Sequence, residues 1–168
     1  MLEYWRERRR GLRLPRRSDI GPAGFPNLAG RAFVASLASN GVPTFRFAGE
    51  EILELHRRPL GGVAITELWR ADQRGRIVRL AALSVRAAEP LILTAVGEDG
   101  DALPVRLEVL LAPVTGSAGA ADLFLGLEQL LGGARPARLG LLSLVDAKIG
   151  RPGQPPLRLA AVDGRRIA

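Results

Sequence analysis

The sequence contains no cysteine and a single histidine, His56. Without thiols, disulfides, thiolate zinc sites, iron–sulfur clusters and cysteine nucleophiles are all excluded, and the composition fits a reducing compartment. Aromatic residues make up only 5% of the chain, so a core must be built mostly from the Leu, Val, Ile and Ala within its 47% apolar content. Long apolar runs are missing too. The longest stretch without charge, Ala32 to Phe45, contains Gly41 and Pro43 and falls short of the roughly 18 apolar residues of a membrane span. The opening MLEYWRERRRG has no apolar segment after its arginines, so it does not read as a secretory signal. The expectation is a cytoplasmic protein without a membrane partner.

Lysine is nearly absent: Lys148 is the only one, and arginine carries the rest of the formal net charge of +7. That charge is not spread over a face. Residues 1–17 hold seven arginines against Glu3 and Glu7, a net +5, and residues 151–168 hold four against Asp163, a net +3, which leaves −1 for the body between them. A nucleic-acid-binding domain carries its basic stripe on a structured element, so this distribution argues against nucleic acid as a partner.

Hydrophobic periodicity places the elements. Residues 2–10 read as a short helix ended by Gly11, and an arm punctuated by Pro15, Pro22 and Pro26 follows. Ala32 to Leu37 and Thr44 to Ala48 read as a hairpin around Ser39-Asn40-Gly41. Gly49 opens a short helix with two acids in its first turn. A helical turn is expected at 65–69 and a longer helix at 71–88, with Ile77, Leu80, Ala81, Ser84 and Ala88 on one face and Arg76, Arg79 and Arg86 on the other. Strands follow at 91–96, 105–111 and 122–127, with further candidates at an edge (139–145) and in the tail (157–162). This order implies an α+β fold: a five-stranded antiparallel sheet with helices over one face and an N-terminal helix. Three segments are expected: the helix and arm (1–30), the core (31–147) and a basic Pro/Gly-rich tail (148–168).

Several short motifs occur in a meaningful order. They are Tyr4-Trp5, the arm from Leu14-Pro15 through Asp19-Ile20-Gly21-Pro22, Phe45-Arg46-Phe47-Ala48-Gly49, Leu68-Trp69, Glu108-Val109-Leu110-Leu111-Ala112-Pro113 and Pro136-Ala137-Arg138-Leu139-Gly140. Together, over residues 4–145, they resemble a bacterial single-domain PAS-like family. The sequence departs from the family pattern at Glu50, at His56, Arg57 and Pro59, and at Arg138. The resemblance implies a PAS fold, a sensory or regulatory role and no shared catalytic activity.

The chemistry of the residues agrees with that implication. There is no GxSxG elbow, HExxH helix, phosphate loop or GxGxxG turn, so no catalytic residue and no metal ligand set is assigned and an enzyme is not expected. Three residues are candidates for ligand binding. Arg46, inside an apolar strand, could hold an anion in bidentate fashion, alternate outward, or pair structurally with Asp19, the reading favoured here. His56 could be an axial haem ligand or a proton sensor, but beside Arg57 and Arg58 it reads first as a surface residue. Trp69 could stack on a ligand, although tryptophan before an amphipathic helix is more often a core anchor. Tyr4 and Trp5 are interface candidates; Trp5 either closes a homodimer or packs on its own sheet, and the sequence leaves both open. The function expected is a sensory domain that binds a small molecule or a signalling protein, cofactor unknown. The alternative is a ligand-free protein-interaction or dimerisation module, and a third reading is an anion binder using Arg46, Arg57 and Arg58.

Overall fold

The computed structural model describes residues 1–11, 13–98, 104–116, 119–132 and 135–150. Its frame is one sheet of six strands in the order β2-β1-β5-β4-β3-β6, in which every neighbouring pair is antiparallel. The strands are β1 (Ala32–Leu37), β2 (Pro43–Ala48), β3 (Leu91–Glu98), β4 (Pro104–Val114), β5 (Leu123–Leu130) and β6 (Ser143–Ile149). The helices are α1 (Leu2–Arg9), α2 (Glu50–His56) and α3 (Arg74–Ala87).

The turn chemistry explains the hairpin between β1 and β2. Gly41 takes a φ of 77°, which L side chains disfavour, and Asn40 accepts a hydrogen bond at Oδ1 from the Val42 amide at 3.0 Å. α3 ends as its sequence suggests: Ala88 turns left-handed, Ser84 Oγ donates to the Glu89 carbonyl at 2.6 Å, and Pro90 follows. The α3 stripe of Ile77, Leu80, Ala81 and Ser84 is buried, while Arg76, Arg79 and Arg86 face solvent.

Both faces of the sheet are covered. On one, Phe33, Phe45, Leu93, Leu107, Val109 and Phe124 pack against Ile52 and Leu55 of α2, Trp69, and Ile77 and Leu80 of α3. On the other, Leu110, Ala112, Val114, Leu125 and Leu127 receive Trp5 from α1 and Leu14, Ile20 and Phe25 from the arm. The double cover explains β4, which alternates at its start and is buried without interruption from Leu110 onward.

The sixth strand departs from the expected five-stranded sheet. β6 forms at 143–149 rather than 139–145 and carries the sheet beyond residue 147. Residues 135–142 instead cross the open end of the helical layer. There the Leu139 amide donates to the Leu55 carbonyl at 2.9 Å and the Leu142 amide to the Leu68 carbonyl at 2.8 Å. The turn expected at 98–101 falls partly outside the described residues, and the tail strand expected at 157–162 lies wholly outside them.

Candidate functional site

The most polar place inside the helical layer lies where α2 meets β5. β5 follows a period of two, so Phe124, Gly126 and Glu128 share the face that looks toward the helices. Gly126 lies under the ring of Phe33, which fills the place a Cβ would take. Glu128 then brings a carboxylate to an inward position. α2 supplies its partner: His56 is the last residue of that helix, and its Nε2 lies 3.0 and 3.1 Å from the two Glu128 carboxylate oxygens. The two side chains are only 3% and 2% exposed. A buried carboxylate is tolerated when a donor faces it, and His56 is that donor.

The placement of His56 corrects the surface reading. Arg57 adopts a left-handed conformation, φ 51°, and turns the chain outward immediately after His56. Arg57 and Arg58 are therefore exposed, the first donating to the Ala137 carbonyl at 2.9 Å and the second 4.0 Å from Glu67. One residue earlier, the helix still points its side chain into the core.

A cavity of about 140 Å³ adjoins the pair, lined by Arg31, Glu51, Ile52, Leu55, Glu128, Leu130 and Arg135. Arg135 is held over it by bonds to the Glu54 carboxylate at 2.8 Å and to the Glu51 carbonyl at 2.9 Å. Arg31 Nε is buried without a hydrogen-bond acceptor, since the Glu51 carboxylate stands 3.8 Å away. A second, larger hollow of about 430 Å³ lies on the opposite sheet face between α1 and Ile92, Glu108, Leu110 and Leu127.

The other candidates take different places. Trp69 is fully buried among the residues of the helical layer, with its indole N–H lacking an acceptor, so it serves as a core anchor. Arg46 is neither an inward ligand group nor a partner of Asp19. The β1–β2 register runs from Val34↔Phe47 to Ala35↔Phe45, so Arg46 is the extra residue of a β-bulge, exposed and without an ion pair among the described residues. Trp5 packs on its own sheet, 1% exposed, with Nε1 donating to the Pro113 carbonyl at 2.8 Å. Tyr4 pins the arm to α1: its hydroxyl accepts from the Gly21 amide at 3.0 Å, and its ring meets Phe25 edge-on.

The sequence reading overlooked Glu128, Arg31, Glu51 and Arg135. Glu128 had a detectable signal. Extending β5 by one residue past 127 places a charge at the next inward position after Phe124 and Gly126. The arginines come together only in three dimensions, because the crossing segment after β5 brings Arg135 back over α2.

The fold is a mixed α/β domain with an antiparallel sheet, helices on its inner face and a polar pair beneath them. Comparison with known families is specific: the model of the PAS domain matches residues 1–129. The chain belongs to the PAS domain family. Among solved structures it is similar to the crystal structure of the Rhodobacter sphaeroides LOV protein, at 16% identity and a TM-score of 0.49, covering 68% of this chain and 70% of that one. No curated protein matches the sequence. Among the described residues, no helix is long and apolar enough to cross a membrane, and no group of three or more His, Asp or Glu side chains is placed to hold a metal ion.

Proposed function

We propose that this PAS domain is a cytoplasmic sensory or regulatory module that works by binding rather than by catalysis, and that its input is a small molecule received beside the His56–Glu128 pair. The observation that carries this reading is the buried carboxylate: Glu128 is paired with His56 on one side and forms a wall of the cavity on the other. An occupant of the cavity that binds Glu128 changes the partner available to His56. It thereby acts on the end of α2 and on the segment 135–142 bonded to it. Ligand binding then shifts a conformational population, the coupling a sensory domain needs.

The size of the cavity limits the ligand. Drug-sized and larger cofactors occupy pockets of roughly 300–1,000 Å³, whereas this one measures about 140 Å³. The layer between α3 and the sheet is occupied by Trp69, Ile77, Leu93, Leu107 and Phe124, each essentially unexposed. That filled layer also favours a second reading, a ligand-free interaction module that acts through its surface.

Native mass spectrometry and an absorbance spectrum of freshly purified protein separate the two. A bound species of low mass that is lost in Glu128→Gln supports the sensor. A bare polypeptide mass in both proteins, together with co-purification of a partner protein, supports the interaction module.

A further inference from the structure

The cavity beside Glu128 is unbalanced in a way that specifies a chemistry. A carboxylate offers about four acceptor sites. Glu128 is buried and has a single donor among the described residues, the Nε2 of His56. On the same cavity wall the Arg31 guanidinium is drawn toward Glu51 at 3.8 Å and donates through Nη2 to the Asn27 carbonyl at 3.4 Å, but its buried Nε has no acceptor in hydrogen-bonding range. Arg135 adds a second guanidinium at the rim, 45% exposed. The rest of the wall is Glu51, whose carboxylate stands 3.8 Å from Arg31 Nε, and three aliphatic side chains: Ile52 and Leu55, 1% and 6% exposed, and Leu130. One small space thus holds spare acceptor capacity, a spare donor and an apolar floor.

We propose that this cavity binds a small zwitterion with an aliphatic side chain, an α-amino acid of the leucine or valine type. Its ammonium group meets Glu128, its carboxylate meets Arg31 with Arg135 behind it, and its side chain rests on Ile52, Leu55 and Leu130. The volume of about 140 Å³ is close to the roughly 150 Å³ that accommodates a benzene-sized body. A simple acid leaves Glu128 unsatisfied, and a simple amine leaves Arg31 so. Sites built to hydrogen-bond a ligand reject analogues lacking the bonded group, because buried polar atoms are then stranded. The inference rests on the reading of this cavity as the input site.

Titration calorimetry on the full chain tests it with three probes that share one side chain: L-leucine, 4-methylpentanoate, which lacks the amine, and 3-methylbutylamine, which lacks the carboxylate. L-Leucine is expected to bind with a Kd between about 10 µM and 1 mM, the range open to so small a ligand. Each analogue is expected to bind at least about tenfold more weakly, the loss of one charge-assisted contact. The variants should divide the ligand between them. Arg31→Met, a change at a partly exposed side chain, weakens L-leucine about tenfold and leaves 3-methylbutylamine unaffected. Glu128→Gln, which keeps an acceptor for His56, weakens L-leucine and 3-methylbutylamine and leaves 4-methylpentanoate unaffected. Equal affinity for L-leucine and either analogue overturns the zwitterion while the cavity remains the input site. Absence of binding by all three probes at 10-fold above the expected range also overturns it. In that case the native masses of wild type and Glu128→Gln decide separately whether the cavity receives some other molecule.

Discussion

Leucine substitutions at His56 and Glu128 test whether the two form one energetic unit. The pair is 2–3% exposed, so little solvent screening weakens its contribution. His56→Leu removes the donor and leaves the carboxylate buried, a change that costs roughly 3–5 kcal/mol when a buried pair loses one member. The cavity that Glu128 lines has room for water, which puts the expectation at the lower end, about 3 kcal/mol. Glu128→Leu leaves an imidazole nitrogen without its acceptor, at about 1–3 kcal/mol. The double variant replaces both with aliphatic groups of similar size and should lie between neutral and about 4 kcal/mol more stable than wild type. The two single costs therefore fail to add, and the coupling amounts to at least about 4 kcal/mol. Urea denaturation followed by tryptophan fluorescence measures this. With a slope of about 2 kcal/mol/M, His56→Leu should lower the midpoint by about 1.5 M, and the double variant should restore it. A double variant whose loss equals the sum of the singles, or a His56→Leu protein within about 1 kcal/mol of wild type, would refute the reasoning.

Four further substitutions probe the frame. Trp5→Phe keeps the apolar body on the sheet but deletes the 2.8 Å bond to the Pro113 carbonyl, and should cost about 1–2 kcal/mol in the same denaturation assay. Trp69→Ala empties a fully buried site and should cost about 3–5 kcal/mol; a smaller loss means the helical layer collapses into the space. Gly126→Ala drives a methyl group into the Phe33 ring at an expected cost of about 1–3 kcal/mol, and Phe33→Leu in the same chain should recover part of it. Arg46→Ala should stay within about 0.5 kcal/mol of wild type, because a bulged, exposed side chain without an ion pair has little to lose; a large loss would return Arg46 to the core of the structure.

What could be read in the sequence followed from local periodicity. The α3 stripe, the β1–β2 hairpin and the stop at Pro90 need only neighbouring residues to specify them, and each forms where expected. Two kinds of feature escaped. Alternation from the buried Phe45 sends Arg46 outward, as found, but it sends Phe47 inward, and the extra residue at Arg46 breaks the period so that Phe47 is exposed instead. β6 begins four residues later than the strand expected at 139–145, where Leu139 and Leu142 look like strand residues. Both are buried, but they anchor the crossing segment to α2 and to the turn before Trp69. Burial makes a residue apolar whether it lies in a strand or in a strap, and only the tertiary partner distinguishes them.

His56 shows the same limit at the site itself. In a helix, consecutive residues point about 100° apart, so one buried side chain can precede two exposed cations without conflict. The charges at Arg57 and Arg58 describe the left-handed turn that ends α2 and say little about the residue before it. The information that assigns His56 its place is a glutamate 72 positions away in sequence, on a strand that belongs to the opposite layer. A contact between residues so far apart leaves no local pattern in the sequence, so its two members are informative only together. On the reading proposed above, a pair joining α2 to β5 is better suited than any surface arginine to report an occupant of the adjoining cavity. A change at Glu128 alters the contact between the helix layer and the centre of the sheet, whereas a change at Arg46 alters only the solvent around a bulge.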